Sequence, residues 1–191
     1  EYRYEGPVVS GATIGVWKYE PIAGDALHDE GLWRYRNWTV DLAYRPGIPT
    51  AAEITAERER QQAAEAAARA AGDEALARDC RAKFEITTRQ LVRLGTITGE
   101  GDYPFPIHLW QIGRAIWVAV ESEHYQLLQR SLRERFPEAA IIVATIVNGS
   151  LHTYLPPREI YGTGIYQETI ALLAPGSLER LIEEIAGQIG K

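Results

Sequence analysis

The chain has 191 residues, a net charge of −6 and five Trp among 46% apolar residues, enough to build the core of one domain or of a piece of one. Its pI lies near 5.3 and its basic residues are scattered between acids, which argues against a nucleic-acid footprint; no run of about 18 apolar residues offers a membrane span. The single Cys80 excludes an internal disulfide framework and leaves the compartment open, while the complete absence of Met predicts a processed chain, one chain of a cleaved protein, or a fragment.

Residues 1–48 are rich in aromatics and Gly. Val8–Tyr19 predicts a strand interrupted by Gly11 and Gly15, Ile22–Leu32 a loop, and Trp38–Tyr44 an alternating strand stopped by Pro46, Gly47 and Pro49. Residues 50–95 predict a helical hairpin. Thr50 and Glu53 form a capping-box pattern ahead of an Ala-, Glu- and Arg-rich run to Ala71. Gly72 ends that helix and Asp73 caps the next, with Leu76, Cys80, Phe84, Leu91 and Leu94 as its apolar stripe. Cys80 on that stripe reads as a buried structural thiol.

Gly99–Asp102 and Pro104–Pro106 read as a loop. Ile107–Ile112 and Arg114–Val120 read as two strands joined at Gly113. Ser122 caps a helix expected from Glu123 to Phe136, with Tyr125, Leu128, Leu132 and Phe136 on its face. Ala139–Val147 is the most strand-like run, and 148–168 reads as a long irregular loop of the kind that carries function. Ser177 caps a last helix with Leu178, Leu181, Ile182, Ile185 and Ile189 as its stripe. The expected class is α/β: a mixed β-sheet with flanking helices and a helical-hairpin insertion.

Sites in such folds gather beyond the carboxyl ends of strands. The run ending at Val120 is followed by Glu121, Glu123 and His124; the run ending at Val147 is followed by His152 and Tyr154. Acids at a helix start also have a structural explanation in the helix dipole, and a lone His or Tyr is more often a packed residue. Glu123, His124 and His152 supply up to three metal ligands, but not at the spacing of a known zinc motif. The residues alone therefore give an incomplete metal site and go no further.

Four features carry a resemblance. An Ala/Glu-rich hairpin containing Ala70-Ala71-Gly72-Asp73 precedes the strands. The pair LWQIGRAIWVAV runs straight into an acid. Asn148, then Tyr154-Leu-Pro-Pro-Arg-Glu-Ile-Tyr161, then Tyr166-Gln-Glu168 follow in order. Ala174-Pro-Gly introduces the terminal helix. From about Thr39 onward the chain resembles the C-terminal part of the catalytic domain of the neutral/alkaline non-lysosomal ceramidases, most of all the shorter bacterial type. On that resemblance residues 1–191 are the C-terminal portion of one hydrolase domain.

The resemblance implies a zinc-dependent amide hydrolase working by zinc-activated water. It implies Glu123 and Tyr154 as metal ligands and Tyr166 as the residue assisting the substrate carbonyl. The two His ligands are expected from an N-terminal half outside this chain, which becomes the expected partner; His28 and His108 do not match their context. Glu121 and Ser122 replace the small residues that usually precede the ligand Glu, and His152 lies in a loop one residue longer than usual. Glu121, His124 and His152 are therefore additional candidates. The implied substrate is a small-molecule or lipid amide of the N-acyl type, and an oligomer is compatible with the chain. The alternative is a non-catalytic assembly or interaction protein with a decayed site.

Overall fold

The structure, a computed structural model, describes residues 2–6, 15–22, 24, 31–97, 101–149 and 154–189. A four-stranded mixed sheet lies at its centre, in the order β3 (Trp33–Leu42), β4 (Tyr103–Ile112), β5 (Ala115–Val120), β7 (Ala140–Ala144). The first two pairings are antiparallel and β5–β7 is parallel. The parallel step requires a crossover, and helix α3 (Leu127–Arg135) supplies it. Two small ribbons stand apart from this sheet: β1 (Tyr2–Gly6) with β2 (Val16–Tyr19), and β6 (Glu123–His124) with β8 (Tyr154–Leu155). The α/β class with a mixed sheet, flanking helices and an inserted hairpin is therefore the observed one.

Alternation divides the sheet faces. Val40, Leu42, Phe105, Ile107, Leu109, Ile116, Val118, Val120 and Ile141 turn inward and pack with Leu128 and Leu132 of α3 and Leu178, Leu181, Ile182 and Ile185 of α5 (Ser177–Ala186). Arg36, on the same face, donates to the Gln188 carbonyl just past α5 (2.6 Å). The opposite face is aromatic. Tyr35, Trp110, Trp117 and Ile142 are successive register partners across all four strands, and Trp33 (66%), Trp117 (44%) and Ile112 (45%) are exposed there.

The helical hairpin forms as its sequence dictates. In α1 (Ala51–Ala70) the Thr50 hydroxyl accepts from the Glu53 amide, and the Glu53 carboxylate accepts from the Thr50 amide (2.7 Å). Asp73 caps α2 (Glu74–Leu94) by accepting from the Leu76 amide (3.0 Å). The interface differs from the expected stripe: Ala77, Cys80 and Thr87 are buried while Leu76 is half exposed. Ile54 and Ala68 are the buried residues of α1, so small side chains let the helices approach closely, and Phe84 lies under the Arg58 and Arg81 guanidinium groups instead. Cys80 is a buried free thiol.

Several expected boundaries move. β3 begins at Trp33 rather than Trp38, and Tyr44 makes only an isolated bridge to Leu173. Pro104 and Pro106 lie inside β4, not in a loop. Their register with β3 is unbroken, and β5 joins β4 only from Ile107 onward; the missing amide donors fall where β4 has a single partner. The helix expected from Glu123 starts at Leu127, because Glu123 and His124 pair with β8. Ser122 is consequently buried in the approach to β6 and caps no helix. β7 ends at Ala144, before the positive φ of Ile146 (59°) and Asn148 (63°). Gly176 (φ 94°), not Ser177, caps α5, and the Arg158 guanidinium packs where a Cβ at 176 would stand. Residues 8–14, among them Gly11, lie outside the described residues, as do His28 and His152.

Candidate active site

The end of β5 is the point from which the site is built. Glu121 and Ser122 follow it directly and are buried (6% and 0% exposed). The Tyr103 hydroxyl on β4 donates to the Glu121 carboxylate (2.5 Å). Burial raises the Glu121 carboxyl pKa, and the Tyr103 hydrogen bond offsets part of that rise. The Ser122 carbonyl accepts from the Thr145 hydroxyl (2.7 Å), tying the turn after β5 to the segment after β7. Two residues beyond Glu121 the chain enters β6.

There Glu123 meets Tyr154: the two are register partners in the parallel β6–β8 ladder. The Glu123 charge raises the Tyr154 phenol pKa, with smaller contributions from burial and from a hydrogen bond between the two side chains. Tyr166, first residue of the short helix α4 (Tyr166–Ile170), sets its ring edge-on to Tyr154 with centroids 6.1 Å apart and leaves most of its surface exposed. Glu123, Tyr154 and Tyr166 thus form one cluster of a carboxylate and two phenols.

The segment presenting Tyr166 is held by backbone capture. The Glu168 carboxylate accepts from the Gly162 amide (2.8 Å) and the Gly164 amide (2.7 Å), and the Arg45 guanidinium donates to the Glu168 carbonyl (2.6 Å). Those amides, with smaller help from Arg45, hold the Glu168 carboxyl below its usual range. Positive φ at both glycines (93° and 74°) turns the two donors toward one carboxylate. Tyr161 donates to the Leu173 carbonyl (2.9 Å), and burial pushes its phenol up to about 12. It anchors the loop.

Of the remaining candidates, Glu121 and His124 are turned to other partners. His124 follows Glu123 on a strand, so its side chain leaves from the opposite face of the ribbon. Its Nδ1 lies 3.1 Å from the Tyr125 carbonyl, an acceptor, which places the proton on Nδ1. Among the described residues Nε2 is buried without a hydrogen-bond partner, and burial lowers the imidazole pKa. Glu121 is turned to Tyr103. His152 lies outside the described residues.

A metal ion fits this arrangement in part. Glu123 and Tyr154 bring two oxygen donors together, of which the carboxylate is an ordinary zinc ligand. Among the described residues no group of three or more His, Cys, Asp or Glu gathers around one point.

Two contributors had no separate signal in the sequence: Tyr103 and Arg45. Tyr103 sits beside prolines that read as loop, and Arg45 acts through Glu168, distant in the chain. Glu168 stood inside the tyrosine segment, yet its role as a backbone acceptor emerges only from the turn geometry.

No family model matches the chain, and no curated protein matches it. Among solved structures it is similar to a neutral ceramidase from Pseudomonas aeruginosa (16% identity, TM-score 0.43), over 82% of this chain and 28% of that one. It is also similar to a ceramidase complexed with C2 (19% identity, TM-score 0.37), over 42% of this chain and 14% of that one. Likeness at this level assigns no residue a role, and the chain spans less than a third of either of those proteins.

Proposed function

We propose that this chain is the C-terminal half of a zinc-dependent amide hydrolase of the neutral ceramidase type, acting on an N-acyl amide bond. The observation that carries the reading is the cluster of Glu123, Tyr154 and Tyr166, three residues spread over 43 positions that meet through the β6–β8 register and one ring contact. Glu123 and Tyr154 would hold the metal, and Tyr166, close by and solvent-accessible, would donate to a developing oxyanion. Zinc at such a site supplies a Lewis acid and makes water a nucleophile at neutral pH. Glu168, Gly162 and Gly164 fix the loop that presents Tyr166.

The two missing ligands would come from an N-terminal half, and the sheet supports such a partner. One face is packed by α3 and α5, while the other carries the row Tyr35, Trp110, Trp117 and Ile142. A broad aromatic surface of this kind is the usual mark of an interface. The same surface also favours a second reading, a non-catalytic assembly protein with a decayed site.

Elemental analysis of the full protein, with intact mass under native and denaturing conditions, tests the reading. Near-stoichiometric zinc, hydrolysis of an N-acyl amide, and loss of both in Glu123→Ala with unchanged folding are the expected results. Zinc and hydrolysis that survive Glu123→Ala would sink the ligand assignment. Absence of both from the unaltered protein would leave the assembly reading.

A further inference from the structure

A recess lies at the base of the helical hairpin. It is a cavity of about 300 Å³ between the turn after β3, the C-terminal end of α2 and residues 169–172, at the lower end of the range for small-molecule sites, about 300–1,000 Å³. Its walls combine Ile48, Ile54 and Leu94 with the side chains of Arg45, Gln90 and Arg93. Ile54 is 5% exposed, so the apolar side is a true wall.

The two guanidinium groups are not equivalent. Arg45 commits one donor to the Glu168 carbonyl (2.6 Å), which fixes it in place, and a guanidinium carries five donors in all. Arg93 is half-buried and, among the described residues, makes no ion pair with a carboxylate. Burial is the main effect on it and lowers its pKa, opposed by the nearby Tyr166 and reinforced by the Arg89 guanidinium. Among the described residues two arginines and no acidic residue line this recess, and Arg45 also neighbours the Glu168 carboxylate outside it. Such a recess concentrates anions, and the planar fork of Arg matches a carboxylate in two parallel hydrogen bonds.

We propose that this cavity is a binding site for a small carboxylate with a short aliphatic arm, the carboxylate held by Arg93 and Arg45 and the arm lying against Ile48, Ile54 and Leu94. Gln90 supplies a neutral donor beside the anion. The two arginines disfavour cations, and Ile48, Ile54, Leu94 and Ile170 give the lining its apolar part. The inference stands on the cavity and does not depend on zinc or on hydrolysis.

Calorimetric titration of the full protein with hexanoate, hexanamide and inorganic phosphate tests it. Hexanoate is expected to bind at least about tenfold more tightly than either of the others, the size of one charge-assisted hydrogen-bonded pair. Arg93→Gln is expected to remove the preference for hexanoate over hexanamide, and Arg93→Lys to retain part of it. Equal binding of hexanoate and hexanamide by the unaltered protein overturns the proposal without recourse to any variant. Phosphate binding as tight as hexanoate would overturn the aliphatic part and leave a plain anion site. Full retention of the preference in Arg93→Gln would overturn the role of Arg93.

Discussion

Tyr154 sits directly across from Glu123 in a two-residue parallel ladder, and the carboxylate raises the phenol's pKa by its charge. A phenolate beside a carboxylate is a like-charge pair, so the proton is held more tightly than in a free tyrosine, whose pKa is about 10. Neutralising the carboxylate removes the largest cause. In Glu123→Gln the Tyr154 phenol is expected to titrate nearer its ordinary value, read by ultraviolet or NMR titration against Tyr154→Phe. A Tyr154 titration unchanged in Glu123→Gln would show that the two side chains do not face each other in solution.

Glu121 is shifted in the same direction by a different cause. Burial raises its pKa, so the folded chain binds that proton more tightly than the unfolded chain. Its contribution to stability is whole below the unfolded value of about 4.3 and is lost as pH rises through the folded pKa. Glu121→Gln keeps an acceptor for Tyr103 but cannot ionise. Relative to the native chain, it is expected to be more stable at pH 7 than at pH 4, measured by denaturant midpoints at the two values. Tyr103→Phe deletes a hydrogen bond to the buried carboxylate and is expected to cost about 1–3 kcal/mol at neutral pH. A Tyr103→Phe chain as stable as the native one would deny that this bond matters.

Glu168 works in the other direction. The Gly162 and Gly164 amides depress its pKa, so its stabilisation is present above the unfolded value near 4.3 and is lost as pH falls through the folded pKa. Glu168→Gln weakens both acceptors at once. Hydrogen exchange at the Gly162 and Gly164 amides is expected to accelerate about tenfold, on the order of one lost hydrogen bond, with little change in the sheet. Uniform acceleration across β4 and β5 would mean that Glu168 supports the whole fold and not this loop.

Local rules made the scaffold legible and tertiary ones hid the site. The Thr50–Glu53 capping box and the Asp73 cap are written within a few residues and formed as read; the α5 stripe is a 3.6-residue pattern that needs no partner to be seen. Pro104 and Pro106 misled because a strand tolerates proline only where one neighbour is absent, which depends on where β5 ends. Glu123 and His124 read as a helix start because Ser122 and the acids match a cap; a two-residue strand is created by β8, 31 positions away at Tyr154. The Glu123–Tyr154 pairing was reachable only through the tyrosine segment's resemblance, since neither residue's neighbours announce the other. The Arg45–Arg93 recess has no sequence signature, because its two cations come from a turn and a helix end that meet only in the folded chain.

Tyr166 gives the sharpest separation of catalysis from structure. Its side chain is 63% exposed and its ring meets Tyr154 edge-on, so removing the hydroxyl should leave packing intact. A phenol that donates to an oxyanion acts in the transition state more than in the ground state, and loss of one such donor lowers kcat by about 100- to 1,000-fold. Tyr166→Phe is therefore expected to lower kcat on an N-acyl amide by that factor, with KM, zinc content and Tm unchanged. A fall in zinc content together with rate would instead make Tyr166 part of the metal shell. An unchanged kcat would remove it from the chemistry and leave its hydroxyl as a surface group beside Arg93.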